Sequence, residues 1–283
     1  MKNIATILLI LFFTLTMSAN VSFSEKDALV KLYIATNGNQ WKKQWDLNKP
    51  VATWFGVKVQ NDKVIELDLS NNNLSGVLPS EIVNLIHLKN LILFKNYISG
   101  DIPLKIGNMK ELKELNISFN KLSGSIPSSI GSINSLENIQ LFMNQLSGIL
   151  PSEIGNLKNL KTLSLFNNEL EGKIPSSIFQ LKSLKTLLLN SNKFIGKLGN
   201  EIANLTQLET LSLFDNKMDG QVPFDIEKLN NLKEMNISYN MFSGFVSKNL
   251  AQLDTLNMTM INNEGLAVVL KVKDKNSALA NEE

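Results

Sequence analysis

Residues 160–183 read LKTLSLFNNELEGKIPSSIFQLKS, and a close variant returns every 24 residues from Val64 to about Thr255. The same columns stay apolar in each copy. Val64, Leu88, Leu112, Leu136, Leu160, Leu184, Leu208, Leu232 and Leu256 open successive units. Three residues on stands an apolar residue such as Leu163, and two further on another such as Leu165. An asparagine follows three residues later in eight consecutive units, from Asn72 through Asn96, Asn120, Asn144, Asn168, Asn192 and Asn216 to Asn240. Alternation around each L-x-L predicts a short strand with one face inward and one outward. One strand per unit, always in the same sense, must stack as a parallel sheet along one side of a coil. No single turn can bury its leucines alone, so neighbouring turns must shield one another.

Each asparagine falls where the strand ends and the chain bends. Its amide offers two donors and an acceptor, enough to bond the backbone of its own turn and the next. A buried row of asparagines without such partners would be costly, so the row implies a regular coil. A glycine recurs at Gly76, Gly100, Gly124, Gly148, Gly172, Gly196, Gly220 and Gly244, at a bend that a Cβ is expected to crowd. Proline follows three residues later in most units, as at Pro127 and Pro175. A second row of extended segments is expected between the two, with Ile102, Ile126 and Ile174 pointing inward. The rest of each unit should form a short 3₁₀ or α turn, anchored in the third repeat by Ile130 and Ile133. The register weakens at Leu198-Gly199, where Ile-Pro is expected, and at Val246-Ser247.

The 283 residues carry a formal net charge of +2 and 43% hydrophobic residues, enough for a continuous core. There is no arginine, which removes the bidentate fork suited to phosphate. Nucleic acid is therefore not an expected partner. Cysteine is absent, so disulfides and thiol chemistry are excluded.

Residues 1–19 have the pattern of an export signal: Lys2, an apolar run from Ile4 to Met17, then small Ser18 and Ala19. A membrane anchor is the alternative, but the run falls short of the ~20 apolar residues that span a bilayer. Residues 24–37 read as a helix capped by Ser24 with Asp27 and ended by Gly38. Trp41, Trp45 and Trp54 follow, as a lid over the first turn or, alternatively, a sugar-stacking platform. The expected division is signal 1–19, N-terminal cap 20–63, eight repeats 64–255, closing repeat 256–272 and polar tail 273–283.

The segments EKDALVKLYIATNGNQW (25–41), WFGVKV (54–59) and LDLSNNNLSG (67–76) resemble the cap and first repeat of extracellular leucine-rich-repeat proteins of the plant-like class. The extension L-S-G-x-I-P, a hallmark of that class, is matched by LSGVLP, ISGDIP, LSGSIP, LSGILP and LEGKIP. Two cysteines that flank the W-x-G-V stretch in many plant members are replaced by Ala52 and Val59, as in a bacterial-type relative. The resemblance implies an α/β solenoid: a right-handed leucine-rich-repeat coil with a parallel β-sheet on its concave face. Short 3₁₀ or α turns would line the convex face, and a helix would cap the N-terminus.

Two outward positions per unit lie between the last strand leucine and the asparagine. They place Phe94, Phe119, Phe142, Phe166, Phe214 and Tyr239 on the concave face, an aromatic in six of eight units. Rigidly held aromatics suit ligand contact, but such a stripe could equally stack on itself and stiffen the sheet. Most other outward positions, Thr162 and Ser164 among them, are uncharged and hydrogen-bonding, with Ile92 and Leu188 as apolar exceptions. Glu66, Asp68, Glu114 and Glu234 add acid near the ends of the face.

Catalysis finds no foothold. The single histidine, His87, lies away from the strands and is expected to be exposed. Glu114 and Glu234 sit five turns apart, ~24 Å at about 4.8 Å per strand, too far to flank a glycosidic bond. The expectation is a secreted or periplasmic, monomeric, non-enzymatic recognition module that binds a protein, peptide or glycan. It needs no cofactor or metal and has no membrane insertion after signal cleavage. An ice- or surface-binding protein is the alternative, with a glycan-processing enzyme behind it.

Overall fold

The computed structural model describes residues 21–273 apart from 255 and 257, so the expected export signal and most of the expected polar tail lie outside the described residues. A nine-stranded sheet runs the length of the coil. Its eight repeat strands, from Lys63–Asp68 to Glu234–Asn236, are all parallel and keep a strict 24-residue register. Leu115 pairs with Ile139, for example, and Ile139 with Leu163. Leu67, Leu91, Leu115, Ile139, Leu163, Leu187, Leu211 and Met235 form one buried row. Each such side chain contributes about 1.5–3 kcal/mol by leaving water, and each needs the neighbouring turn to do so.

The asparagine row is bonded as a ladder. Asn168 donates from Nδ2 to the carbonyls of Leu165 in its own turn and Leu141 in the preceding one, at 2.9 and 3.0 Å. Its Oδ1 accepts the backbone N–H of Leu146 at 3.0 Å. The turn it reaches is therefore the preceding one, where the sequence suggested the next. At the start of the row Asn72 instead exchanges bonds with the backbone of Lys43, which ties the cap to the coil.

The second row of extended segments exists, but its strands lie before or across the glycine instead of running between glycine and proline. Ser75–Val77, Tyr97–Gly100 and Lys121–Leu122 form one sheet, and five strands from Ser147–Ile149 to Met241–Ser243 form another. Ile102 and Ile126 are buried, whereas Ile174 is only half-buried. The repeated glycine is required by its backbone more than by crowding. At Gly148 φ is +76° and the nearest atom to an added Cβ would be an ordinary 3.7 Å away. Gly76 is a position that also lacks room, with the Ala35 carbonyl oxygen 2.1 Å from such a Cβ.

Turns of 3₁₀ helix such as Ser128–Ser132 and Ser176–Gln180 line the other side, and Ile130 and Ile133 are buried beneath them. The irregular sixth repeat keeps its turn, Asn200–Asn204, because Gly199 adopts the same extended backbone as the prolines elsewhere. In the eighth, Phe245–Ser247 becomes a strand, and the Ser247 side chain caps the short helix Lys248–Ala251.

The N-terminal helix spans Phe23–Ala35 and is capped by Ser22, not by Ser24. Ser22 accepts the N–H of Glu25 and donates its hydroxyl to the Glu25 carboxylate, a close variant of the reciprocal capping box. The buried Glu25 also accepts the N–H of Val64 at 3.1 Å, so the cap residue reaches the first repeat. Trp41, Trp45 and Trp54 are buried, with ring centroids 4.9 and 4.8 Å apart in succession. Each indole N–H finds a backbone carbonyl. They form the lid, which removes them as a sugar platform. Val57–Gln60 then pairs antiparallel with Lys63–Asp68 through a two-residue turn, Asn61 and Asp62, both with positive φ. This hairpin covers the edge that the parallel sheet would otherwise leave open.

At the far end Asp254 is buried and accepts the N–H groups of Ile237, Leu256 and Met258 and the hydroxyl of Ser238. Holding Leu256 there turns the chain before a ninth inward leucine can form, and Leu256 is 40% exposed. Thr259–Ile261 pairs antiparallel with Ala267–Val269 in the closing segment.

Candidate ligand-binding face

The outer side of the nine-stranded sheet carries the six aromatics, and the structure divides them into two groups. Phe94, Phe119, Phe142 and Phe166 form an unbroken ladder. Successive ring centroids lie 5.4, 5.5 and 4.4 Å apart, edge-on at the first two steps and stacked at the third. Phe214 and Tyr239 form a separate pair at 5.2 Å. Asn190 and Ser191 occupy the intervening repeat and break the row.

The two outward columns are not equivalent. The second of them has positive φ in all eight units, from Asn71 at 51° to Tyr239 at 58°. Asparagine and aspartate tolerate that backbone, and Asn71, Asn167 and Asp215 use it. Phe119 and Tyr239 are bulky residues held there, at a cost on the order of 1 kcal/mol each. In the same two units the first column is filled by Ser118 and Ser238, which are buried instead of outward. Their hydroxyls bond inside the protein, Ser118 to Asn116 and Ser238 to Asp254. Ser164, also expected on the surface, is buried, and its hydroxyl has no partner.

Where the ladder stops, the face sinks into a hollow of ≈ 330 Å³ between Phe166 and Glu234. Leu188, Asn190, Thr210 and Ser212 line its floor, and Leu253 from the closing segment borders it. In sequence Leu188 is an apolar exception and Glu234 a terminal acid, and nothing in linear order joins them. Both fall at outward strand positions, two residues apart within the 24-residue period, and that periodicity is the available signal.

Charge is segregated. The outward positions carry Glu66, Asp68, Glu114, Asp215 and Glu234 against one ammonium, Lys95, in a chain whose net charge is +2. Burial, and then Asp68 and Glu66, push the Glu114 carboxyl above its ordinary 4.5. The position just before each strand is instead lysine-rich. There Glu137 bridges Lys161 and Lys113 at 2.6 and 3.6 Å, and Glu209 bridges Lys233 and Lys185 at 2.6 and 3.2 Å. Hydrogen bonds to these lysines hold both glutamates below the usual carboxylate value.

Among the described residues the candidate catalytic groups stay apart. His87 is half-buried, not exposed, and its Nδ1 lies 2.8 Å from Glu111 on the side away from the sheet. Among the described residues no group of three or more His, Cys, Asp or Glu could hold a metal ion. Glu66 and Asp68 project from one strand and are separately engaged, Glu66 near Lys58 and Asp68 by Ser70.

A parallel-stranded coil displaying a polar and aromatic face is the architecture of a repeat-built solenoid. The leucine-rich repeat region profile matches residues 143–269, and the leucine-rich repeat profile matches residues 63–85 and 111–133. The chain belongs to the leucine-rich-repeat proteins and is similar to plant members of that family. It is similar to Protein MALE DISCOVERER 1 of Arabidopsis thaliana, 43% identical over 61 residues, which cover 22% of this chain and 9% of that relative. Among solved structures it resembles the plant peptide hormone receptor RGFR1 in complex with RGF2, at TM-score 0.64 and 32% identity. That match covers 73% of this chain and 32% of the receptor chain. A plant ice-binding protein gives TM-score 0.72 at 24% identity, covering 86% of this chain and 79% of that one, a likeness of fold alone. The chain thus spans only a minor part of the length of the relative and of the receptor.

Proposed function

We propose that the protein is an exported, non-enzymatic recognition module that binds a peptide, or an extended segment of a protein, on its concave aromatic face. The observation that carries this reading is the four-ring ladder from Phe94 to Phe166, held just past the ends of successive parallel strands and partly open to solvent. Phe119 supports it further, because a bulky ring kept in a left-handed backbone conformation is retained against a local cost. The likeness to a peptide hormone receptor solved with its ligand agrees with it. Eight strands at about 4.8 Å give a face roughly 35–40 Å long, enough for a standard interface. Glycan is the weaker occupant, since the tryptophans that could have stacked on sugars are committed to the lid.

The proposed division is signal 1–19, cap 20–63, repeats 64–255, closing repeat 256–272 and tail 273–283, with the ligand meeting Phe94, Phe119, Phe142, Phe166, Phe214 and Tyr239. No helix among the described residues is long and apolar enough to cross a membrane. The module acts outside the cytoplasm as a monomer.

Affinity capture from the surface fraction of the source organism tests the reading, with the wild type beside a Phe94→Ala/Phe119→Ala variant of unchanged circular dichroism. Protein or peptide species captured by the wild type and lost from the variant are expected. An identical captured set from both chains would remove the aromatic face as the site. Thermal hysteresis in the wild type would move the reading to ice binding.

A further inference from the structure

The concave face is acidic while the chain as a whole is slightly basic. Glu114, Asp215 and Glu234 have no cationic side chain in ion-pair contact among the described residues, whereas Glu137 and Glu209 on the flanking row each hold two lysines. Of the acids on the binding side only Glu66 has a lysine near it among the described residues, whereas Glu137 and Glu209 beside that face are each held by two. Charge of one sign lining a concave surface attracts the opposite sign, and steers it.

The hollow adds a location. Phe166 closes one end, Leu188 supplies apolar floor, and Glu234 stands at the other end. Phe166 and Glu234 are three strands apart, about 14 Å at ~4.8 Å per strand, and four positions apart along the repeat, about 13 Å more at ~3.3 Å per residue. The resulting diagonal of roughly 20 Å accommodates a short extended segment with an apolar residue at one end and an extended basic side chain at the other. The methylene stem of a lysine or arginine would lie over Leu188 while its charged head meets the carboxylate. Asn190, Thr210 and Ser212 offer oxygen acceptors along the way.

We propose that the ligand is an extended peptide segment carrying lysine or arginine among aromatic or aliphatic residues, with one basic side chain seated in the hollow against Glu234. This rests on the peptide reading above and adds to it the charge of the ligand and the place of one side chain.

The test is an array of synthetic peptides, about ten residues long to match the face, in three classes rich in aromatic and aliphatic residues. One class bears Lys or Arg, one bears Asp or Glu, and one is uncharged. The full chain and its Glu234→Gln and Glu114→Gln variants are applied at low and high salt, with folding checked by circular dichroism. The basic class is expected to bind best, to weaken as salt rises, and to lose about tenfold in affinity with Glu234→Gln. Equal binding of all three classes, or preference for the acidic one, would overturn the inference and leave the peptide reading standing. Binding of basic peptides that Glu234→Gln leaves unchanged would overturn the assignment of the hollow. Binding of no class would sink both readings together.

Discussion

The rings of Phe142 and Phe166 lie 4.4 Å apart and within 11° of parallel, the one stacked step in a ladder otherwise built edge-to-face. The pair therefore has two roles to separate. It stiffens adjacent repeats, and it forms the end of the ladder that borders the hollow.

Stiffening predicts a coupling between the two rings. Phe142→Ala and Phe166→Ala should each lower stability, and the double variant should lose less than the sum of the singles by about 0.5–1.5 kcal/mol. Urea unfolding of the four proteins measures this. Strict additivity would mean that the rings touch without stabilising each other.

The asparagine row predicts a larger effect from a smaller change. Asn168→Ala leaves the N–H of Leu146 without its partner and takes one of two amide donors from each of the carbonyls of Leu141 and Leu165, which keep Asn144 and Asn192. Each unpaired buried group costs roughly 1–3 kcal/mol, partly recovered where water enters. A net loss of about 2–4 kcal/mol is expected from these lost bonds. Asn159, an exposed residue bonded to the Asn134 carbonyl, provides the contrast, and its alanine variant should change stability by less than about 1 kcal/mol. Equal losses from the two would refute the ladder as a structural device.

The coil is legible because its period is a property of the chain alone. Leu163 and Leu165 recur in step with Asn168, and the required parallel sheet follows. The tryptophan lid is legible for a similar reason, since an open first turn needs apolar cover. What escapes a linear reading depends on spacing between turns. Ser118 and Ser238 share a column with Phe94 and Phe166 but fold inward to bond Asn116 and Asp254. The column beside them has a left-handed backbone that no single residue type announces. The hairpin at Asn61-Asp62 does carry a local signal, two turn-forming residues between alternating segments, which the dominant 24-residue pattern obscures. Leu188 and Glu234 sit in the second and fourth of four successive repeats and share a hollow only because the coil stacks them on one side.

Glu25 predicts a lid held by one carboxylate. Glu25→Ala removes the acceptor for the Val64 N–H and the partner of the Ser22 hydroxyl, and should cost about 1–3 kcal/mol. Glu25→Gln retains a carbonyl oxygen for Val64 and should cost less. Tryptophan fluorescence reads the result directly, because loosening the cap exposes Trp41, Trp45 and Trp54 to water. A Glu25→Ala chain with unaltered stability and emission would show that aromatic packing alone holds the lid.

Glu114 and Glu137 predict opposite responses to acid. The fold raises the Glu114 pKa through burial and the nearby Asp68 and Glu66, so it favours the protonated form. Its contribution is fully present below the unfolded value of about 4.5 and is lost as pH rises through the higher folded value. Glu114→Gln should therefore be more stable than the wild type at neutral pH, by on the order of 0.5 kcal/mol after solvent screening, with the advantage closing in acid. Glu137 is held down by Lys161 and Lys113. Its contribution is present above the unfolded value and disappears as pH falls through the folded one. Glu137→Gln should be slightly destabilising at neutral pH and indistinguishable from the wild type in acid. Melting temperatures of the three proteins across this range check both signs, and a Glu114→Gln chain less stable than the wild type at neutral pH would contradict an uncompensated acid on the concave face.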